Sequence, residues 1–422
     1  MLKQIEGSRA VAETVAACRP QVIPAYPISP QTHIVEALAE MVAAGELTPA
    51  RFITAESEFG AMSLAIGASA TGARTYTATA SQGLLFMVEA LYNASGLGLP
   101  IVMTVANRAI GAPINIWTDH SDAMSQRDSG WIQLYARDNQ HAADLHILAF
   151  KLAEQCSVPV MVCMDGFVLT HAVERVDVPT AEQVDGYLPA YAPRQVLDPA
   201  HPYSIGAMVG PEAFTEVRYL AQHALSTALD ALPLLGADLG RVLGREVPAQ
   251  IAPYRLDGAE TVVVALGSSL GTLADTVDAL RAEGIPVGAL GLVAYRPFPL
   301  DAVRAALAGA RRVIVLERAF SPGAGGPVTA DLRPAVATGT PVHTALAGLG
   351  GRPVTGVTLR RMVADAVAGV LPELSFADLD HDLVDRHLAH VAAHVDAGVH
   401  AGPTAEGVLA HLRSRTAEVS GR

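Results

Sequence analysis

The sequence predicts an α/β protein built on a parallel sheet with helices on both faces. Short, continuously apolar segments recur over residues 1–178, and each is followed by a segment with helical spacing of apolar residues. This alternation is typical of doubly wound sheets, whose strands are buried on both sides. Similar alternation returns after residue 258, so a second α/β unit is expected.

The elements follow in order along the chain. Strand candidates of the first unit are QVIPAY (21–26), RFITA (51–55), RTYTATA (74–80), PIVMTVA (100–106) and VPVMVCMD (158–165). Residues 179–212 are richer in proline, tyrosine and aspartate and are predicted to form an extended arm, followed by a helix over 211–245. The second unit offers TVVVALGS (261–268), PVGALGL (286–292) and RRVIVLERA (311–319) as strands. We predict domains at 1–257 and 258–370, and a helical, histidine-rich tail at 371–422.

Composition narrows the possible partners. The net charge of −13 argues against nucleic acid or an anionic membrane as a partner. No apolar run approaches the ~18 residues that span a bilayer. The first residues, MLKQIEGSRAVAETV, indicate a start, a turn and a helix rather than a secretory signal. A cytoplasmic protein without membrane association is expected.

The cysteines and the tail histidines are candidate metal-binding residues in the sequence. None of Cys18, Cys156 and Cys163 belongs to a C-x₂-C motif, so no iron–sulfur or zinc motif is recognised on this chain. The tail contains His381, His387, His390, His394, His400 and His411. Three of them, at 387, 390 and 394, have helical spacing and could share a metal-binding face. A solvated helix is the favoured interpretation, and no metal ligands are predicted.

The segment AYPISPQTHIVEAL (25–38) is the first candidate site. A strand ends near Tyr26, two prolines restrict the turn, and a helix follows. Ligands in parallel α/β sheets bind beyond the carboxyl ends of the strands, near helix N-termini. Ser29 therefore offers its hydroxyl to an anionic substrate, or it is simply the N-cap of the helix.

The segment TAESEFGAMSLAIGASATG (54–72) is the second. Glu56 and Glu58 lie between a strand and a helix of small and apolar residues. A glutamate at such a helix start either complements the helix dipole or is a buried functional acid.

The third candidate is ANRAIGAPINIWTDHSDAMSQRDSGWIQLY (106–135). Arg108 directly follows a predicted strand, so it is expected at the same sheet edge as Ser29 and Glu58. A guanidinium suits bidentate capture of a carboxylate, although a surface salt bridge is the alternative.

These segments together resemble one family. YPISPQTHIVE, ESEFGAMSLAIGASATGARTYTATASQGL, MTVANRAIGAPINIW, SQRDSGWIQLY and PVMVCMDGFVLTH resemble, in order, the α subunit of pyruvate and related 2-oxoacid:ferredoxin oxidoreductases. The four-subunit pyruvate synthase form is the most similar. The resemblance runs from about residue 5 to about 365 and excludes the histidine-rich tail.

The resemblance implies a fold and a site. The first domain would be like the pyrimidine-binding domain of thiamine-diphosphate enzymes, and the second like the C-terminal domain of transketolase. Glu58 would contact the aminopyrimidine of the cofactor, Arg108 the substrate carboxylate, and Ser29 the substrate at a position where the family usually has threonine. The change to serine keeps the hydroxyl and removes a methyl group, which leaves the size of the substrate open.

The resemblance also implies partners. Diphosphate and Mg²⁺ in this superfamily are usually held by a GDG motif, which is absent here, and MDGFVLTH is the nearest segment. A β subunit would then carry the diphosphate and Mg²⁺ site, with thiamine diphosphate shared between the chains. Further partners would be γ and δ (ferredoxin-like) subunits, and the 4Fe–4S clusters would lie on partner subunits. Pyruvate would be converted to acetyl-CoA and CO₂ with coenzyme A, and ferredoxin would take the electrons.

Three functions remain open from the sequence. The first is this catalytic subunit, for pyruvate or for another 2-oxoacid (branched-chain, 2-oxobutyrate or oxalate). The second is a self-sufficient thiamine enzyme, against which the missing GDG motif argues. The third is a non-catalytic scaffold subunit, against which the retained Glu58 and Arg108 argue.

Overall fold

The computed structural model describes residues 2–202, 204–396 and 404–420. It has two compact units, one within residues 1–375 and one within residues 376–422. None of the described helices is both long and apolar enough to cross a membrane.

The described elements have the following bounds. The strands are β1 (Leu2–Glu6), β2 (Val22–Ala25), β3 (Arg51–Thr54), β4 (Tyr76–Thr79), β5 (Val102–Asn107), β6 (Ile132–Tyr135), β7 (Val160–Asp165), β8 (Val173–Asp177), β9 (Ile251–Tyr254), β10 (Thr261–Ala265), β11 (Val287–Leu292), β12 (Ala294–Arg296), β13 (Arg312–Glu317), β14 (Val342–Leu346) and β15 (Leu374–Phe376). The helices are α1 (Gly7–Ala17), α2 (Thr32–Ala43), α3 (Glu58–Ala70), α4 (Ser81–Phe86), α5 (Val88–Gly96), α6 (Ser121–Ser125), α7 (Asn139–Cys156), α8 (Ala181–Tyr187), α9 (Phe214–Leu243), α10 (Ser269–Ala282), α11 (Leu300–Leu307), α12 (Pro327–Leu332), α13 (Gly356–Val367), α14 (His381–Asp396) and α15 (Ala405–Ser420).

The first sheet has the order β12–β6–β7–β5–β4, and all its pairs are parallel except the antiparallel pair of β12 and β6. A parallel pair of β2 and β3 continues it through a single bridge between Val22 and Thr75. Every residue of β5 and β7 is buried, as expected for strands covered on both faces. The α/β doubly wound fold predicted from the sequence is therefore confirmed.

The second sheet has the order β15–β14–β13–β10–β11–β9, with β10, β11, β13 and β14 parallel and β9 antiparallel to β11. β12 follows β11 in the chain but pairs with β6 of the first sheet. The two sheets are thus joined through a strand beyond residue 258. The predicted division into domains stays a prediction.

Some local predictions were wrong. The five strands predicted for the first unit are present, but the predicted turn after the start is strand β1, which pairs antiparallel with β8 and buries Ile5. The predicted arm 179–212 contains helix α8, because Thr180 and Gln183 form a capping box there.

The tail forms the helix pair α14 and α15. The His387 and His390 rings lie 5.4 and 5.3 Å from the ring of His411. His387 is only 4% exposed, so the predicted solvated face is wrong at this residue, because α15 packs against it. His400 and the side chain of His394 lie outside the described residues.

Candidate active site

The candidate site lies where the parallel strands of the first sheet end. β2 ends at Ala25 before the turn that contains Ser29, and β5 ends at Asn107, directly before Arg108. β3 ends at Thr54, shortly before Glu58. The carboxyl ends of parallel strands lie at one edge of a sheet, which is where open α/β folds bind their ligands.

The Arg108 side chain is 7% exposed and is held by two protein groups. Its Nη1 donates to the Ser29 carbonyl oxygen at 2.7 Å, and its Nη2 donates to Gln82 Oε1 at 2.8 Å. Arg108 Nε is buried without a partner among the described residues. Burial lowers the pKa of Arg108, while the nearby Asp122 and Glu58 carboxylates act in the opposite direction. The surface salt bridge considered as the alternative is therefore wrong for this residue.

Ser29 contacts Arg108 through its backbone rather than its side chain. The residue is exposed, and its hydroxyl makes no hydrogen bond to the described part of the chain. The alternative role as an N-cap is wrong, because α2 begins at Thr32 with Gln31 as the cap residue. The hydroxyl is therefore free for another molecule, while the Ser29 carbonyl positions the guanidinium.

Glu58 is the first residue of α3 and is 8% exposed. The preceding Ser57 caps the helix by accepting a hydrogen bond from the Gly60 backbone N–H. The Glu58 carboxylate makes no hydrogen bond to any described residue. The carboxylate is at a helix N-terminus, where it is favoured, and it is also buried, so the structure agrees with a dipole partner, while the role of a functional acid stays a prediction.

Glu56 is exposed, whereas Glu58 is buried, and the sequence did not indicate this difference. β3 ends at Thr54 and Glu56 lies in the bend before α3, where it is exposed. A Cβ on Gly60 would come within 2.7 Å of Glu56 Oε1. Glu56 therefore lies over the first turn of α3, outside the strand.

The first turn of α4 links Glu58 to Arg108, and sequence reasoning missed it. Gln82 accepts a hydrogen bond from Arg108. A Cβ on Gly83 would lie 2.7 Å from Glu58 Oε1 and 2.6 Å from Thr79 Oγ1, so only glycine leaves room for this carboxylate. Thr79 Oγ1 is buried and unpaired within the described residues. The segment SQG in the run TATASQGL, which directly follows a predicted strand, was the available signal.

Asp122 was also missed by sequence reasoning. Its carboxylate is fully buried and accepts hydrogen bonds from the backbone N–H groups of Ser81 and Arg108, both at 2.9 Å, and from Asn107 Nδ2 at 2.8 Å. Burial raises the pKa of Asp122, against the effect of these hydrogen bonds. Asp122 thus fixes the ends of β4 and β5, and the polar run TDHSDAMSQRD was its signal.

Asp165 joins this edge to the second sheet. It is the last residue of β7, is 1% exposed, and accepts hydrogen bonds from His120 Nε2, Arg318 Nη1 and the Ser268 backbone N–H, each at 2.7 Å. Burial opposes its ionisation, but Arg318 and His120 outweigh that effect, so the pKa of Asp165 lies well below its usual range.

Comparisons with known proteins match most of the chain. The family profile described as pyruvate flavodoxin/ferredoxin oxidoreductase, thiamine diphosphate-binding, matches residues 13–231, and the profile of pyruvate:ferredoxin oxidoreductase core domain II matches residues 259–358. The chain is 44% identical over 390 residues to pyruvate synthase subunit PorA of Methanosarcina barkeri, with 90% of this chain and 97% of that protein covered.

Two further proteins extend the comparison. Ketoisovalerate oxidoreductase subunit VorA of Pyrococcus abyssi is 38% identical, with 86% of this chain and 93% of that protein covered. A solved structure of 2-oxoglutarate:ferredoxin oxidoreductase from Magnetococcus marinus has a TM-score of 0.72 at 20% identity. The match covers 87% of this chain and 65% of that chain, and at this identity it shows the fold alone.

Proposed function

The chain belongs to the pyruvate:ferredoxin oxidoreductase family, and from this membership we propose that it is the α subunit of a coenzyme A-dependent pyruvate synthase. The subunit catalyses, with its partners, the oxidative decarboxylation of pyruvate to acetyl-CoA and CO₂, with electrons passed to ferredoxin. The observation that carries the proposal is the buried Glu58 carboxylate, which has no protein hydrogen-bond partner among the described residues and lies close enough to Arg108 to act on its pKa.

The residues at this edge fit thiamine diphosphate. The Glu58 carboxylate and the buried, unpaired Thr79 Oγ1 lie on two sides of a space that a Cβ at Gly83 would fill. Such orphaned polar groups are rare in folded proteins and call for a ligand. Glu58 would hold the aminopyrimidine as a hydrogen-bond acceptor. When bound, thiamine diphosphate supplies the carbanion chemistry that decarboxylates 2-oxoacids.

Arg108 and Ser29 would orient the substrate. A guanidinium has five N–H donors, and two of those of Arg108 are used by Ser29 and Gln82. The second N–H of Nη1 and of Nη2 would be offered to a substrate carboxylate. Because the two protein bonds and the Asp122 contact to the Arg108 backbone fix the group beforehand, little orientational freedom is lost when the substrate binds.

The partner assignment rests on this chain's own thiols and motifs. Burial raises the pKa of Cys18 to about 12, that of Cys163 well above its usual value, and that of Cys156 also upwards. Thiols that resist ionisation are poor ligands for iron–sulfur clusters, which need thiolates. We therefore assign the 4Fe–4S clusters to partner subunits, which include γ and δ (ferredoxin-like) subunits, and the diphosphate and Mg²⁺ site to a β subunit.

A second candidate is a subunit for a branched-chain 2-oxoacid. The 38% identity to a ketoisovalerate oxidoreductase subunit and the small side chain at Ser29 favour it. A non-catalytic scaffold is disfavoured, because Glu58 and Arg108 are both buried and Arg108 is held by Ser29 and Gln82.

Co-expression tests the proposal. The chain purified alone is expected to bind thiamine diphosphate weakly and to oxidise no 2-oxoacid. The chain co-purified with its partner subunits is expected to reduce a viologen dye with pyruvate and coenzyme A, and more slowly with 2-oxoisovalerate. Tight cofactor binding by the chain alone in calorimetry would contradict the shared site. Faster turnover of 2-oxoisovalerate would favour the second candidate.

A further inference from the structure

Glu6, His33 and His171 form a cluster outside the candidate active site. Glu6 is the last residue of β1, His33 lies in the first turn of α2, and His171 lies in the turn after β7. One potential ligand atom from each residue lies within 4.8 Å of the other two. Within the described residues, this is the one such group of three or more histidine, cysteine, aspartate or glutamate side chains.

The side chains in this cluster already converge. Glu6 Oε1 lies 2.7 Å from His33 Nδ1, and the His33 and His171 ring centroids are 4.6 Å apart. A carboxylate–histidine pair alone would be an ordinary surface contact. The His171 ring faces this pair but makes no hydrogen bond to it. One nitrogen of His171 is therefore available to a ligand bound between the three side chains.

Neighbouring groups orient His171. The Thr170 hydroxyl lies 2.7 Å from His171 Nδ1 and accepts the Phe167 backbone N–H at 2.8 Å. The centroid of the Phe167 ring lies 4.7 Å from that of the His171 ring. Metal-binding histidines typically have one nitrogen fixed by such a partner, which leaves the other nitrogen for the cation.

From this arrangement we propose that Glu6, His33 and His171 bind one divalent cation of the zinc class. Two imidazoles and a carboxylate are a ligand set that Zn²⁺ accepts, with water in the open position. The 50% exposure of the His33 side chain leaves a path for the cation and for that water. The cation would replace the hydrogen bond between Glu6 and His33: the carboxylate and Nδ1 would bind the cation, and the Nδ1 proton would move through water to His33 Nε2, so that the bound imidazole stays neutral.

The cation would tie three segments together. Gly166, five residues before His171, packs so closely on the Ser29-containing turn that a Cβ there would lie 2.5 Å from Pro30 Cγ. A cation bound between α2 and the turn after β7 would therefore also stabilise the position of the turn that contains Ser29. The site itself rests only on its three ligands and does not depend on the proposed function.

Zinc titration of the full chain tests the proposal. Metal-free protein is titrated with Zn²⁺ in competition with a chromogenic chelator. We expect one tightly bound Zn²⁺ per chain, and we expect His33→Gln and Glu6→Gln each to weaken binding at least about a hundredfold, beyond the 10–100-fold typical of losing an outer partner. Both residues are partly exposed, so the metal-free variants should keep the parent circular dichroism and Tm.

His387→Gln is the matched control, because it removes a histidine from the tail instead. Its zinc affinity should stay within about twofold of the parent. The proposal is overturned if the parent binds no zinc more tightly than His33→Gln, or if the tight site is lost in His387→Gln and kept in His33→Gln.

Discussion

Arg318 Nη1 donates a 2.7 Å hydrogen bond to Asp165 Oδ2, and both side chains are buried. Asp165 ends β7 of the first sheet, and Arg318 follows β13 of the second. This ion pair therefore ties the carboxyl edges of the two sheets together. The His120 backbone N–H also donates to the Arg318 carbonyl oxygen at 2.8 Å, which adds a second link, to the start of the helix α6 that contains Asp122.

Asp165→Asn should destabilise the protein strongly. The change leaves the Arg318 guanidinium buried without its counter-charge, which typically costs about 3–5 kcal/mol. Thermal or urea unfolding of the full chain measures the loss. Asp301→Asn is the control, since Asp301 is 94% exposed in its pair with Arg304 and such pairs contribute at most about 1 kcal/mol. Equal losses in the two variants would contradict the assignment.

The same pair predicts a pH effect. The pKa of Asp165 is lower in the folded state than the ordinary value of about 3.9. A depressed pKa stabilises the folded state above the unfolded-state pKa, and this contribution is lost as the pH falls towards the folded-state pKa. The stability difference between parent and Asp165→Asn should therefore be constant above about pH 5 and shrink below about pH 4. A difference that grows on acidification would refute this account.

Gly83→Ala should displace Glu58. A Cβ at this position would lie 2.7 Å from Glu58 Oε1, and misplacement of a catalytic group by about 1 Å can cost on the order of a hundredfold. We expect kcat of the assembled enzyme to fall at least about tenfold. Gly96→Ala, in α5 with no atom within 4 Å of its added Cβ, should leave kcat unchanged. Equal activity of the two variants would show that Glu58 tolerates the shift.

The sequence predicted the parts of the site that depend on local order. Arg108 follows one apolar strand, and Glu58 starts the helix that follows a second apolar strand. Their position at one edge of the sheet could therefore be expected. Gln82 and Gly83 were missed, since their roles come from contacts between distant segments. The backbone of Ser81, with a φ of 48°, follows no residue preference that the sequence shows. The pairing of β12 with β6 was likewise invisible, because it joins residues about 160 positions apart.

Ser29 variants test the substrate contact. Ser29→Thr keeps the hydroxyl and the carbonyl that holds Arg108, and it adds one methyl group worth roughly 1 kcal/mol of discrimination at most. We expect pyruvate turnover to persist and use of 2-oxobutyrate to fall relative to pyruvate. Ser29→Ala should raise KM for every 2-oxoacid, since the exposed hydroxyl has no other partner. Parent-like kinetics of Ser29→Ala on all substrates would remove the hydroxyl from the site.

Glu58→Gln tests the residue at the centre of the proposal. The amide keeps the size of the side chain but loses the negative charge that would favour the reactive tautomer of the aminopyrimidine. Proton-transfer assistance of this kind is typically worth 10²- to 10⁴-fold, so kcat of the assembled enzyme should fall at least about a hundredfold, with fold and assembly unchanged.

Glu56→Gln is the internal control, because Glu56 is exposed and lies outside the buried space beside Gly83. Proton exchange at C2 of the cofactor, followed by NMR after acid quenching, reports the affected step without the later electron transfers. Slow exchange in Glu56→Gln together with normal exchange in Glu58→Gln would contradict this assignment. The cofactor would then bind at Glu56, which the Ser57 cap of α3 separates from Glu58.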